Sequence, residues 1–224
     1  MKPNTGTVIV STVVALAAGL GLGACGSSSK SSSTSSSSAS SPGPTSTTAG
    51  TRPISLPASL DGYRDAADVM AAKGAKASII SARRKNEAAV AAATQAAYSR
   101  AYGGAASAFR NYSDAGLSKF PYVIAVRAAT PGLTIGPVQD PKFLGLATPE
   151  REVKTVGAVQ CQIDWSPPTV AGQTPAPSSE LVVACQRSEG RLSVFVASGG
   201  FAGPAGLAAL VGLTNSAFSA ASAS

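Results

Sequence analysis

The spacing of apolar and polar positions changes several times along the chain, and each change predicts an element. A nearly unbroken apolar run, Val8 to Leu22, is interrupted only by small residues such as Ser11, Thr12, Gly19 and Gly21. From Gly26 to Arg52 the chain is mostly Ser, Thr, Pro, Gly and Ala. Ile54 to Tyr63 then reads as an extended entry with a turn at Asp61-Gly62, and Arg64 to Ala72 as a short helix. Ser78 to Tyr102 is dense in helix formers, with Ile79, Asn86, Val90, Ala93 and Ala97 marking one possible face, whose small alanines would let it lie close against a sheet. Gly103-Gly104 ends that helix.

Alternation of period two follows. Ala106 to Tyr112 is a weak strand, and Phe120 to Ala128 a strong one in which Tyr122, Ile124 and Val126 alternate with Val123, Ala125 and Arg127. Thr130 to Lys154 is rich in Pro and Gly and reads as a long loop. Val156–Trp165, Leu181–Arg187 and Leu192–Ala197 are further strands, the last two joined through a tight turn at Ser188-Glu189-Gly190. Pro204 suits the first turn of a C-terminal helix, whose Leu207, Leu210, Val211, Thr214 and Phe218 follow 3-4 spacing. Gly206, Gly212 and Asn215 argue against a membrane span there. The predicted fold is α+β: one domain over residues 53–224, with an antiparallel sheet of four to five strands. The long Ala-rich helix and the C-terminal helix are expected to pack on one face of it.

The beginning of the chain changes the picture from fold to address. Lys2, the short apolar run and a small-residue junction make a secretory signal peptide over residues 1–24. The junction, Leu22-Gly23-Ala24-Cys25, resembles the lipobox of bacterial lipoproteins. That resemblance implies a diacylglycerol thioether on Cys25 and cleavage before it. It implies a protein held to the cell membrane through that lipid, on the extracytoplasmic face. Several acyl chains on one residue hold firmly, since each buried methylene contributes about 0.8 kcal/mol. Residues 25–52 are too polar to repay ordering and are expected to form a disordered, solubilising tether. As a flexible coil it would span about 30 Å, at roughly 5–6 Å times the square root of its length. Ser27 and Lys30 spell an S-x-x-K pattern, but in a serine tract without a helix to set lysine beside serine.

Charge and candidate chemistry narrow the function further. Residues 53–224 hold 15 Lys plus Arg and 11 Asp plus Glu, a net charge of +4. That excess is too small and too scattered for a nucleic-acid surface. Cys161 and Cys185 are an even pair in an exported domain, each on the apolar face of a strand, and are expected to form a disulfide. The chain has no histidine, which excludes Ser-His-Asp and Cys-His catalysis. The carboxylates Asp114, Asp140, Glu150, Glu152, Asp164 and Glu180 are scattered, and Asp61, Asp65 and Asp68 suit a helix start better than a metal. No catalytic residue, metal or other cofactor is expected. Lys73, Lys76, Arg83, Arg84 and Lys85 form a basic cluster suited to an anionic lipid surface or a cell-wall polymer. LPASLDGY, the helix ending in AYGG, FPYVIAVRA, and the pair VGAVQCQIDW and LVVACQRSEGRLSVFV together resemble exported domains of uncharacterised actinobacterial lipoproteins. That resemblance supplies an architecture and no activity. The expectation is a lipid-anchored envelope protein with a non-catalytic binding or structural role and no identified protein partner. Two alternatives are a binder of lipid or another small apolar ligand between sheet and helix, and a carboxylate hydrolase.

Overall fold

The computed structural model describes residues 50–137 and 139–224. Cys25, the signal peptide and nearly all of the predicted tether lie outside them. In chain order the elements are β1 (Ser59–Leu60), β2 (Tyr63–Asp65), α1 (Ala66–Ala72), α2 (Ala77–Ala101), β3 (Ser107–Ser113) and β4 (Tyr122–Val126). They continue with β5 (Arg151–Val156), β6 (Val159–Trp165), β7 (Glu180–Glu189), β8 (Leu192–Ala197) and α3 (Gly203–Ala223). The strands form one antiparallel sheet in the order β1-β2-β3-β4-β8-β7-β6-β5.

The fold is α+β as expected, but the sheet has eight strands rather than four to five. The additional ones lack a hydrophobic signature for two different reasons. β1 and β2 are two and three residues long and exist as a hairpin. Its turn has Asp61 at φ 50° and Gly62 at φ 80°, the left-handed pair that a two-residue hairpin needs. β5 reads Arg-Glu-Val-Lys-Thr-Val and lies at the sheet edge, where charged side chains discourage pairing with another chain.

Cross-strand partners project from the same side of a sheet, so the register sorts residues onto two faces. Val123, Val196, Cys185 and Cys161 are successive partners across β4, β8, β7 and β6. They belong to the core cluster that α3 closes with Leu210, Leu213 and Ala217. Cys161 and Cys185 form the expected disulfide, with Cα atoms 4.0 Å apart on directly paired residues and no exposed surface. α2 lies on the other face, over β3, where its Gln95 holds Ser107. The two helices therefore cover opposite faces, not the single face expected.

The helices are seated by different means. α3 buries Leu210, Leu213, Thr214, Ala217, Phe218 and Ala221. Gly206 has a packing reason, because a Cβ there would sit 2.9 Å from the Phe201 backbone. By length and composition alone α3 is long and apolar enough to cross a bilayer (21 residues, mean hydropathy 1.2), as a core helix also can be, but it packs on the sheet as expected. Arg127 caps its end, donating to the Ala221 and Ser224 carbonyls, and also reaches the Arg52 carbonyl at 2.8 Å. α2 has no fully buried residue. The face that alanine spacing suggested is the wrong one: Ile79 and Val90 are 50% and 38% exposed. The half-buried side runs through Ile80, Arg83, Glu87, Ala91, Gln95 and Tyr98, and is largely polar.

Candidate functional site

The site follows from where α2 stops covering the sheet. Phe109, Ile124 and Phe195 are successive cross-strand partners on the α2 face. α2 sits on β3, so β4 and β8 are left half-covered, and a cleft of about 230 Å³ opens beside the helix. Tyr98 and Tyr102 of α2 form one wall, their rings stacked with centroids 5.9 Å apart. Ile124, Val126 and Phe195 form the floor. Tyr122 extends the aromatic surface, packing against Phe109 on one side and Phe195 on the other. Burial, then the neighbouring Tyr102 and Tyr122 hydroxyls, raises Tyr98 above the usual tyrosine range, and burial raises Tyr122. Both hydroxyls stay neutral at physiological pH and can donate.

A short strap, residues 130–133, bounds the cleft on the side away from α2. Gln186 Nε2 donates to Thr130 Oγ1 at 2.9 Å and to the Pro131 carbonyl at 2.7 Å. Thr130 N donates to Ser193 Oγ, and Leu133 N to Gln160 Oε1. Gly132 lets the strap lie directly on Gln160, whose Oε1 a Cβ would overlap. Each of these buried or half-buried polar side chains thus has a partner, which is what makes a polar strap tolerable over a sheet.

The basic cluster is less free than its sequence suggests. Arg83 pairs with Glu87 at 3.0 Å within α2, and Arg84 with Asp68 at 2.7 Å. Lys73, Lys76 and Lys85 have no ion-pair partner among the described residues. The cluster sits at the start of α2. The chain enters the domain near the other end, where Gly50 N donates to the Arg127 carbonyl and Ala106 N to the Gly50 carbonyl.

The carboxylates serve structure. Asp65 caps α1, accepting from Ala67 N at 3.0 Å. Asp114 closes its own turn by accepting from Ser118 Oγ and from Ser118 N and Lys119 N, which holds its carboxyl below the usual range. Arg151 holds Asp164 through two contacts, at 3.0 and 3.4 Å. Glu152 and Glu180 come together on the α3 face, but Lys154 lies between them, 3.6 and 2.6 Å away. Burial alone would lower the Lys154 pKa; the hydrogen bond and charge of Glu180, then those of Glu152, outweigh it and raise it. Trp165 Nε1 donates to Glu152 as well. A separate depression of about 320 Å³ lies among Gly136, Gln139, Leu144, Glu150 and Arg151, and is mainly polar. No group of His, Cys, Asp and Glu among the described residues has the arrangement of a metal site.

Sequence reasoning named none of the cleft residues as a site. Alternation in Phe120–Ala128 was visible, yet which side would stay open depended on the docking face of α2. No protein-family model matches this sequence, and no curated protein or solved structure matches it either.

Proposed function

We propose that this chain is a lipid-anchored protein of the cell envelope, on the extracytoplasmic face of the membrane, whose role is to bind a small apolar ligand without catalysis. The observation that carries the binding role is the cleft between α2 and the open sheet face, floored by Ile124, Val126 and Phe195 and walled by Tyr98 and Tyr102. Concave, largely apolar sites with a few fixed polar groups are the usual form of a small-molecule site. The anchor rests on the Leu22-Gly23-Ala24-Cys25 motif. Val126 precedes the Arg127 that holds Gly50, so the cleft opens on the end of the sheet where the chain enters from the anchor. The Lys154 bridge between Glu152 and Glu180 favours this reading over a hydrolase, since each carboxylate is already engaged.

The free lysines Lys73, Lys76 and Lys85 supply a second, weaker contact with an anionic surface. Lys73 and Lys76 lie about one α2 length, some 37 Å at 1.5 Å per residue, from the end near Gly50, and Lys85 about 24 Å.

The test is recovery of the mature protein from its own envelope, with mass spectrometry of bound small molecules. Wild type should carry an apolar compound that Ile124→Trp, which fills the cleft, does not. Equal recovery from both would place the ligand elsewhere. In the same preparation Cys25→Ser should lose the diacylglyceryl mass and leave the membrane fraction.

A further inference from the structure

One register row crosses six strands on the α2 face: Phe109, Ile124, Phe195, Gln186, Gln160 and Thr155, each the direct cross-strand partner of the next. At about 4.8 Å per strand the row is roughly 24 Å long. Its chemistry is graded, with three apolar residues, then two amides, then a hydroxyl. The apolar part floors the cleft already described. The polar part floors a second hollow of about 380 Å³, on the far side of the strap. Thr130 and Gln186 line both hollows, so they adjoin.

The second hollow has its own character. Thr155, Gln160, Gln186, Ser188 and Thr130 supply amides and hydroxyls, and Gly132, Gly157 and Ala158 complete the lining. None of these eight residues carries a charge. A phosphate or carboxylate head would find donors but no cation there, and an ammonium head acceptors but no carboxylate, so neither would have its charge neutralised. A head bearing several hydroxyls needs no such neutralisation and could use the Gln160 Nε2 donor, the Gln186 Oε1 acceptor and the Thr155 hydroxyl, while Gln186 Nε2, Gln160 Oε1 and Ser188 Oγ are already engaged within the protein. The strap crosses the row between the hollows, so a ligand occupying both passes over it: Gly132 lets it lie on Gln160, and Gln186 holds Thr130 and Pro131 down.

We infer that the row is one site for an amphiphile with an uncharged, hydroxyl-bearing head, its apolar part beside Phe195 and Tyr98 and its head against Gln160 and Thr155. This rests on the reading of the α2 cleft as a ligand site and adds the class of head group. At about 230 Å³ the cleft suits a short chain or one ring rather than a full-length acyl pair.

The test uses the chain from residue 25 onward with Cys25→Ser, which removes the acyl groups and keeps every described residue. Octyl glucoside, octyl sulfate, octyltrimethylammonium and octanol are titrated below their micelle concentrations, followed by calorimetry and by amide NMR. Octyl glucoside should bind at least tenfold tighter than either charged octyl compound, and should shift the side-chain amides of Gln160 and Gln186. Thr155→Val, isosteric and exposed, should weaken octyl glucoside three- to tenfold and leave octanol unchanged. Equal affinity for all three heads, or no effect of Thr155→Val, overturns the head-group assignment while octanol binding, blocked by Ile124→Trp, leaves the cleft reading in place. Failure of octanol and octyl glucoside alike to bind overturns both.

Discussion

The two faces of the sheet are covered in opposite ways. α3 is seated by apolar burial, with Leu210, Leu213, Ala217 and Ala221 fully enclosed against the disulfide and its neighbours. A single buried Leu contributes about 1.5–3 kcal/mol. α2 is longer, yet buries no residue fully and is held by Gln95 to Ala105 and Ser107. Such hydrogen bonds contribute about 0.5–1.5 kcal/mol each. One face is therefore the stabilising core. The other is a loosely clasped surface whose uncovered part is the cleft proposed as the ligand site. Elements that open for ligands come from the weakly held end of a structure.

The contrast can be broken most sharply at the core. Leu213→Ala should cost about 2–5 kcal/mol in denaturant unfolding, as a fully buried leucine does, while Ile79→Ala on α2 should change stability by less than about 0.5 kcal/mol. Removing the Cys161–Cys185 bridge, by Cys161→Ala with Cys185→Ala, should cost about 3–4 kcal/mol by the chain-entropy estimate for a loop of this length. Gly206→Ala should cost about 1–3 kcal/mol, because the added methyl meets Phe201 backbone rather than a yielding side chain. Gln95→Ala should cost only about 1 kcal/mol globally, but should speed hydrogen exchange across α2 and leave α3 protected. Uniform acceleration in both helices would mean that the faces are not energetically distinct.

The smallest effect is electrostatic. Burial, more than offsetting Arg83, raises the Glu87 carboxyl above its ordinary value. A carboxyl raised in the folded state stabilises it while protonated, and that contribution is lost as pH rises from the unfolded value, near 4.5, through the folded one. Glu87→Gln should remove this decline, leaving the melting temperature of the variant slightly above wild type at pH 7 and level with it near pH 4. A variant less stable than wild type at pH 7 would show that the Arg83 pair outweighs the desolvation of Glu87.

What could be read beforehand follows the same division. The α3 stripe, the central strands and the cysteine pairing are written in apolar periodicity, because burial in one core enforces it. The docking side of α2 is not, since alanine is tolerated on either side and the half-buried residues, Arg83, Glu87 and Gln95, look like a solvated face. β5 was hidden by the charges that suit an edge strand. The cleft was hidden for another reason: Phe109, Ile124, Phe195, Gln186, Gln160 and Thr155 come from six strands and meet only through register. No local pattern marks a row assembled across the sheet.

Arg127 has a mechanical consequence. A pull on residue 49 reaches the domain at Gly50, which is bonded to Arg127 and Ala106 at the ends of β4 and β3. The load therefore enters the interior of the sheet rather than peeling an outer strand. The same guanidinium grips the Arg52 carbonyl and the end of α3, so tension is shared with the helix that closes the core. Tension on the chain before Gly50 would thus load two inner strands and α3 together before it reached β1 at the sheet edge.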